Sequence, residues 1–182
     1  MDDGPRSERL RLRFVTRAEA SRLEDRFDYE AGGFNDFGLP RAAPRNRPAT
    51  PAEAAEQLRG PQGGVLFIEP VPEGEPIGTI SYRPVRYGPN DESSAWQLGI
   101  EIGRDDRGRG FGSEAQRLIA EWLLETTPAN RIEAETDIEN VAESRSLERA
   151  GFTRECVLRG AQFRAGAYHD LIVYSRLRTD PR

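Results

Sequence analysis

The sequence predicts one mixed α/β domain, with a mostly antiparallel, twisted sheet and helices packed on it. Strand-like runs in the middle of the chain are joined by short, turn-rich stretches, which is typical of an antiparallel meander. A strand, a glycine-rich loop, an amphipathic helix and a further strand follow between Trp96 and Asp137, which indicates a mixed sheet covered by helices. The 182 residues match the size of one domain, so we expect a single domain over 1–182 with its core at about 9–178.

The first part of the chain predicts a strand followed by a helix. Residues 9–15 alternate arginine with apolar side chains at the period of a half-buried strand, and Thr16 is placed to cap the helix after it. The stretch 31–49 has several prolines and glycines and no period, so we expect a long loop. A capping residue, a proline and a glutamate at 50–53 then predict a second helix, which Gly60 ends.

The rest of the chain alternates predicted strands with two helices. Three strands are expected at 65–69, 77–87 and 96–102. A helix starts at about Gly112 or Ser113 and carries one apolar face: Ala115, Leu118, Ile119, Trp122 and Leu123. A strand at 131–137, a helix capped by Asn140 and ended by Gly151, and strands at about 152–158 and 168–177 complete the order.

Composition and charge exclude several classes of function. A net charge of -5 argues against a protein that binds the phosphate backbone of nucleic acids. No apolar run is long enough for a membrane helix and the N-terminus lacks the features of a targeting segment, so we expect a cytoplasmic protein without a membrane partner. With one cysteine and one histidine, the chain lacks the ligands of the usual four-ligand zinc clusters, so we expect no metal site. We expect the cysteine, Cys156, to be a small buried apolar side chain.

All 26 basic residues are arginine, which excludes lysine nucleophiles and Schiff bases.

The segment Arg107–Gly112 is a glycine loop between a predicted strand and a predicted helix. Glycines let backbone N–H groups turn inward and the following helix terminus adds partial positive charge, so the loop is suited to a phosphate or pyrophosphate. A nucleoside-triphosphate loop requires a lysine, and the spacing GxGxG differs from the dinucleotide pattern GxGxxG. An ordinary solvated turn is the alternative.

Two motifs resemble those of the GNAT N-acetyltransferase superfamily. Arg107, Gly110 and Gly112 match its pattern (Gln/Arg)-x-x-Gly-x-(Gly/Ala), which binds the pyrophosphate of acyl-CoA. The segment 140–152, NVAESRSLERAGF, is similar to the superfamily's asparagine-containing helix that ends in Gly-Phe. The closing YHDLIVYSRL looks like the last strand of the ribosomal-protein-alanine acetyltransferase branch. The resemblance covers about 10–177 and implies a sheet split to admit acyl-CoA.

The resemblance implies acetyl-CoA as the cofactor and a primary amine as the acceptor, which attacks the thioester directly. It assigns cofactor contacts to the glycine loop, the end of the preceding strand and the asparagine helix: Ile102, Gly103, Arg104, Arg107, Gly108, Arg109, Gly110, Phe111, Gly112, Ser113, Asn140 and Ser144. Backbone N–H groups near 102–104 are expected to meet the thioester oxyanion.

The predicted general base is Glu101. Strand alternation places Gln97, Gly99 and Glu101 on one face and apolar residues on the other, so the polar face can line a cleft. A solvated or paired carboxylate is the alternative for Glu101. Gln97 stands nearer the place where many relatives carry an acid, and its amide can orient a water. In many relatives a tyrosine protonates the leaving thiolate from the position that Leu147 occupies, and leucine has no proton to give.

Acceptor residues are predicted in two places: Phe34, Asn35, Asp36 and Phe37 of the long loop, and His169 and Asp170 of the last strand. Their alternatives are a surface lid and a structural histidine. The acceptor is either a small-molecule amine or the α-amine of a peptide or protein N-terminus. Two rival functions remain, a non-catalytic acyl-CoA sensor and an α/β interaction module without CoA affinity. A homodimer is favoured, because sheet-edge dimers are common in the superfamily.

Overall fold

The computed structural model describes residues 4–20, 34, 56–60, 62–72 and 74–181. Within them lie eight strands and three α-helices. In chain order these are β1 (Leu10–Phe14), α1 (Arg17–Ala20), β2 (Arg59–Gly60), β3 (Gly63–Pro70), β4 (Gly78–Arg86), β5 (Ser94–Ile102), α2 (Phe111–Thr126), β6 (Arg131–Asp137), α3 (Val141–Arg149), β7 (Thr153–Arg164) and β8 (Ala167–Leu177).

The strands form one mixed sheet in the order β1-β3-β4-β5-β6-β8-β7, with the short β2 paired to β3. Of these pairs only β5 with β6 is parallel. The predicted meander is β3-β4-β5, and the crossover between the parallel strands is α2. The fold class predicted from the sequence is therefore confirmed.

The core lies between the sheet and the two longer helices. Ala115, Ile119 and Leu123 of α2 are fully buried, as the helical spacing predicts. They share one cluster with side chains of every second position on the strands, such as Leu98 and Ile132. We call this side of the sheet the helix face and the opposite side the far face. No helix among the described residues combines the length and the apolar character that crossing a membrane requires.

The two parallel strands pair over only three residues and then part. Trp96, Gln97 and Leu98 of β5 are in register with 132–134 of β6, and no pairing joins the strands beyond that point. Residues 99–102 of β5 stay paired with β4 on the other side. The sheet is therefore open between the carboxyl-terminal halves of β5 and β6, where a strand edge presents backbone polar groups to a ligand. This opening is the split that the resemblance implies.

Around β1 the sequence prediction holds at one helix and fails at the end of another. The start of α1 has the predicted cap, since the Glu19 N–H donates to Thr16 Oγ1 and the Thr16 N–H donates to the Glu19 carboxylate. The helix predicted to end at Gly60 is wrong at 56–60, which is extended. There the Leu58 N–H donates to the Val15 carbonyl, and the Val65 N–H donates to the Leu58 carbonyl. Pairing to the sheet therefore overrides the local helical preference.

At the C-terminal hairpin the predicted end of β7 was wrong. The strand runs on to Arg164, because the turn lies at Ala165 and Gly166, both with positive φ. Gly160 lies instead in a stretch where the register shifts. The expectation that Cys156 is buried was also wrong. It is exposed, since β7 is the last strand of the sheet order and its outer face lies in solvent.

Candidate functional site

A cleft of about 840 Å³ occupies the opening between β5 and β6. One side is formed by the glycine loop and the first turns of α2 and α3, and the other by side chains on the far face of the sheet. The sequence supplies this arrangement because α2 is the connection between the two strands that part, so its N-terminus must lie beside the opening.

The glycine loop has the backbone conformation that only glycine adopts at low cost. Gly108 and Gly110 have φ of 74° and 82°, and α2 starts at the next residue, Phe111. The N–H groups of the first turn of α2 have no partner inside the helix, and they carry the positive end of its dipole. Arg107 lies across the loop and donates from Nε to the Ile102 carbonyl at 2.9 Å. The loop is thus built to hold an anionic group.

Gly112 lets α2 and α3 approach each other. A Cβ built at this position would lie 3.2 Å from Ser146 Oγ of α3, so a side chain would press the helices apart. Asn140 caps α3, because its Oδ1 accepts the Glu143 N–H at 3.2 Å. The two motifs that carry the resemblance therefore meet in space, on the same side of the cleft.

Most of the predicted cofactor residues line the cleft. Those that do are Ile102, Arg107, Gly108, Gly110, Phe111, Gly112, Ser113 and Asn140. Gly103, Arg104, Arg109 and Ser144 are not part of the lining. Arg109 pairs with Asp106 at 2.7 Å. Ser144 of α3 has a buried hydroxyl without a hydrogen-bond partner among the described residues.

The predicted catalytic pair lies on the far face of β5, as alternation predicts. Glu101 is half-buried and lines the cleft. Gln97 is 6% exposed, and its Oε1 has no hydrogen-bond partner in the described part of the chain. A buried amide oxygen without a partner is costly, so a ligand N–H or O–H would satisfy it. Leu147 is fully buried in the core, so it contributes packing alone.

A buried ionic network on β6, β7 and β8 completes the far-face side. Asp137 Oδ2 lies within ion-pair distance of Arg164 Nη2 and 3.2 Å from His169 Nδ1. Burial by itself raises the pKa of Asp137, but the N–H of Glu139, Arg164 and His169 together lower that pKa below its ordinary value. Asp137 lines the cleft as a carboxylate held in place by a guanidinium.

Of the acceptor residues predicted from the long loop, Phe34 lines the cleft. Its ring centroid lies 5.1 Å from the Arg164 guanidinium carbon. Asn35, Asp36 and Phe37 lie outside the described residues.

The two acceptor residues predicted from the last strand lie outside the lining of the cleft. His169 contacts the lining of the cleft through Asp137, whose Oδ2 lies 3.2 Å from His169 Nδ1, and it pairs in the hairpin with Gln162, which also lines the cleft. Asp170 accepts the Gly160 N–H at 2.7 Å and supports the irregular part of β7.

Sequence reasoning missed two sets of residues in the cleft or in contact with its lining. Glu143 and Ser146 follow Asn140 at helical spacing, a signal that places them on the same side of α3, and both contact Gln116 of α2. Asp137 and Arg164 had no such signal, because the pair joins residues 27 positions apart on different strands.

A mixed sheet that parts beside a glycine loop and a helix N-terminus defines a class of protein that binds a long, phosphate-bearing ligand within the sheet. The comparison with known families is specific. The acetyltransferase (GNAT) domain matches residues 9–153, most of the chain, and the chain belongs to this family. The family resemblance inferred from the two motifs is confirmed.

Individual relatives are more distant. An uncharacterised N-acetyltransferase of Bacillus licheniformis, p20, is 28% identical over 106 residues, which span 58% of this chain and 57% of that protein. The match thus spans little more than half the length of this curated relative.

Two solved structures cover nearly the whole chain. A spermidine N-acetyltransferase chimera from Vibrio cholerae superposes with a TM-score of 0.73 at 17% identity, over 95% of this chain and 97% of that one. The ribosomal-protein-S5-alanine acetyltransferase from Vibrio fischeri does so with a TM-score of 0.66 at 19% identity, over 97% of each chain. At this identity the likeness shows the fold.

Proposed function

We propose that this protein is an acetyl-CoA-dependent N-acetyltransferase that moves the acetyl group to a primary amine by direct attack. The observation that carries the proposal is the parting of β5 and β6, with an anion-binding glycine loop on one side and carboxylates on the other. Family membership and solved structures of other family members with CoA or acetyl-CoA bound agree with it.

The residues of the opening fit such a cofactor. The positive-φ glycines and the first turn of α2 would hold the pyrophosphate, and the unpaired edge of β5 at 99–102 would run along the pantetheine arm. Arg107 stays close through its bond to the Ile102 carbonyl and adds positive charge. When bound, acetyl-CoA supplies a thioester carbonyl that is open to attack by an amine.

Glu101 is the proposed base. An amine acceptor reaches the protein mostly protonated, since an ordinary alkylamine is about one part in a thousand neutral at pH 7. A carboxylate in the lining of the cleft can take that proton directly or through a water. Gln97 lies on the same face, with Gly99 between it and Glu101. Its Oε1, which has no partner among the described residues, would accept a hydrogen bond from the amine or from the water.

The far face favours a cationic acceptor. Glu101, Glu135 and Asp137 all line the cleft, and Phe34 adds an aromatic wall. Both acceptor classes remain proposals, a small-molecule amine and the α-amine of a peptide or protein. Solved proteins of similar fold are named for each class: one is a spermidine N-acetyltransferase, and another modifies the N-terminal serine of a ribosomal protein. A homodimer and a cytoplasmic location also remain predictions.

The test is calorimetric titration of the whole chain with acetyl-CoA, followed on the same sample by release of free thiol with peptides, polyamines and aminoglycoside-like amines. Because the chain has no lysine, acetylation of lysine side chains cannot supply a background. Binding with turnover on one class of amine supports the proposal and identifies the acceptor. Binding without turnover favours a non-catalytic acyl-CoA sensor, and absence of binding overturns the assignment of the cleft.

A further inference from the structure

Glu143 is a carboxyl group on the cofactor side of the cleft that no arginine among the described residues neutralises. It lies in the first turn of α3, lines the cleft and is half-buried between α2 and α3. Its side chain accepts a hydrogen bond from Gln116 Nε2, and among the described residues it forms no ion pair. By contrast, the cleft carboxylate of Asp137 on β6 is neutralised by Arg164.

Hydrogen bonds join Glu143 to the place where the glycine loop meets α2. Gln116 is 1% exposed, and Ser146 donates to its Oε1 at 3.0 Å, which orients its Nε2 toward Glu143. Ser146 Oγ in turn lies 3.2 Å from Ser113 Oγ, in the first turn of α2. This series of hydrogen bonds runs from the Ser113 hydroxyl, beside the glycine loop, to the Glu143 carboxyl group in the lining of the cleft.

Among the described residues, none of the charged groups that line the cleft forms an ion pair with Glu143. From α2 the facing group is neutral, Gln116. The other charged lining residues nearby come from the glycine loop, from β6, and from α3 itself: Asp106, Arg107, Glu135, Asp137, Arg145 and Arg149. From β7, which also packs on α3, Arg164 is occupied by Asp137. On the opposite wall lie Glu101 and Arg83.

Burial raises the pKa of Glu143 to about 7, and the hydrogen bond from Gln116 opposes this only in part. Near neutral pH the group is therefore divided between its acid and its carboxylate. A bound cofactor that carries several phosphate charges would favour the acid, because like charges in a partly dry cleft repel. The acid also gains a donor, so its O–H can bond to a carbonyl oxygen while Gln116 occupies the other oxygen.

We infer that Glu143 binds the acyl-CoA arm in its neutral form, donating a hydrogen bond to an amide carbonyl of the arm, so that cofactor binding takes up a proton at this side chain. The inference rests on the proposed function, since it assigns a further binding residue to the same cofactor. It predicts an affinity for CoA that weakens as pH rises through neutrality.

The experiment is calorimetric titration of the full chain with CoA at pH 6, 7 and 8, each in two buffers with different ionisation enthalpies. From a pKa of about 7, wild-type protein is expected to take up about half a proton at pH 7 and about 0.9 at pH 8. Its dissociation constant should rise about tenfold from pH 6 to pH 8. The phosphates of CoA titrate in the same range, so each value is compared with a variant.

The decisive variant is Glu143→Gln, which keeps the acceptor for Gln116 and a donor toward the cleft but cannot ionise. It should lose the extra proton uptake and bind at pH 8 about tenfold more tightly than wild type. The matched control is Glu148→Gln, which removes an exposed carboxylate from the same helix outside the cleft and should keep the wild-type profile.

Equal proton uptake in wild type and Glu143→Gln, or parallel pH profiles, would overturn the inference while leaving the cleft assignment intact. Absence of CoA binding by every protein at every pH would instead contradict the proposed function. A folded Glu143→Leu variant, checked by circular dichroism, should bind weakly at all three pH values, since it has neither donor nor acceptor.

Discussion

The two walls of the cleft are built by different means. The cofactor wall proposed for 107–113 and 140–146 is built largely from backbone groups and glycines placed by two helix starts, with Arg107 and Glu143 among its charged side chains. The proposed acceptor wall includes Glu101 of β5 and Asp137 of β6, and Asp137 contacts Arg164 of β7 and His169 of β8, which lie outside the lining of the cleft. A change in the first should therefore alter binding without unfolding the protein, whereas a change in the buried network should alter stability first.

The largest effect is expected in the cofactor wall, from Gly110→Glu. The variant places a side chain at φ 82° and a negative charge where the pyrophosphate would lie. Like-charge contacts of this kind cost several kcal/mol, so the affinity for acetyl-CoA should fall about 10³-fold or more by calorimetry. Gly166→Ala is the matched control, because it places a side chain at a positive φ of 84° in a hairpin turn away from the cleft. Equal affinity of the two variants would contradict the loop assignment.

On the acceptor wall, Glu101→Gln should act on turnover alone. Loss of a general base commonly costs about 100-fold in rate, and Glu101 forms no part of the buried network. Thiol release near neutral pH should fall by about this factor with little change in acetyl-CoA affinity. The defect should be largest for amines of high pKa, which arrive protonated. An unchanged rate across the amine panel would remove Glu101 from the mechanism.

The next effect, a loss of about 2 kcal/mol in the free energy of unfolding, is expected from Asp137→Asn. This variant tests the difference between the two walls directly. The variant takes the Asp137 carboxylate away from Arg164, which is 4% exposed, and a buried charged group that loses a charged partner is destabilised by about 1–3 kcal/mol. Urea unfolding should show the loss while the affinity of the folded protein for acetyl-CoA stays within about twofold. The double variant Asp137→Asn with Arg164→Met should recover part of the stability. A loss of affinity without a loss of stability would mean that the two walls are not separate.

The smallest effect is expected at Glu155 on β7, outside the cleft. Hydrogen bonds from Arg131 and from Ser175 lower the pKa of Glu155 to about 2, although the side chain is 38% exposed. Because the folded pKa is below the unfolded value, this stabilisation is present above about pH 4.5 and is lost as the pH falls toward 2. Solvent screening limits it to about 1 kcal/mol or less, so Glu155→Gln should shift stability slightly at pH 7, and this shift should disappear below pH 2. Acid-range thermal unfolding would measure this difference.

Much of the fold could be predicted because its signals are local. The register of apolar side chains marked α2, the cap at Asn140 marked α3, and alternation placed Gln97 and Glu101 on one face of β5. The failures occurred where long-range pairing replaced a local preference. Residues 56–60 joined the sheet in place of the predicted helix, and Cys156 lies on an exposed outer strand. Neither result follows from the neighbouring sequence, since both depend on strand order.

The sequence by itself determined the order of the elements from β3 onward, the glycine loop and the capped start of α3. These depend on backbone conformation and hydrogen bonds within a few residues. Only the tertiary structure decided that β5 and β6 part after three pairs, that Arg164 neutralises Asp137, and that Glu143 lies between two helices without an ion pair to any described residue. Burial and the distance between charges set these properties, and both arise from residues far apart in the chain.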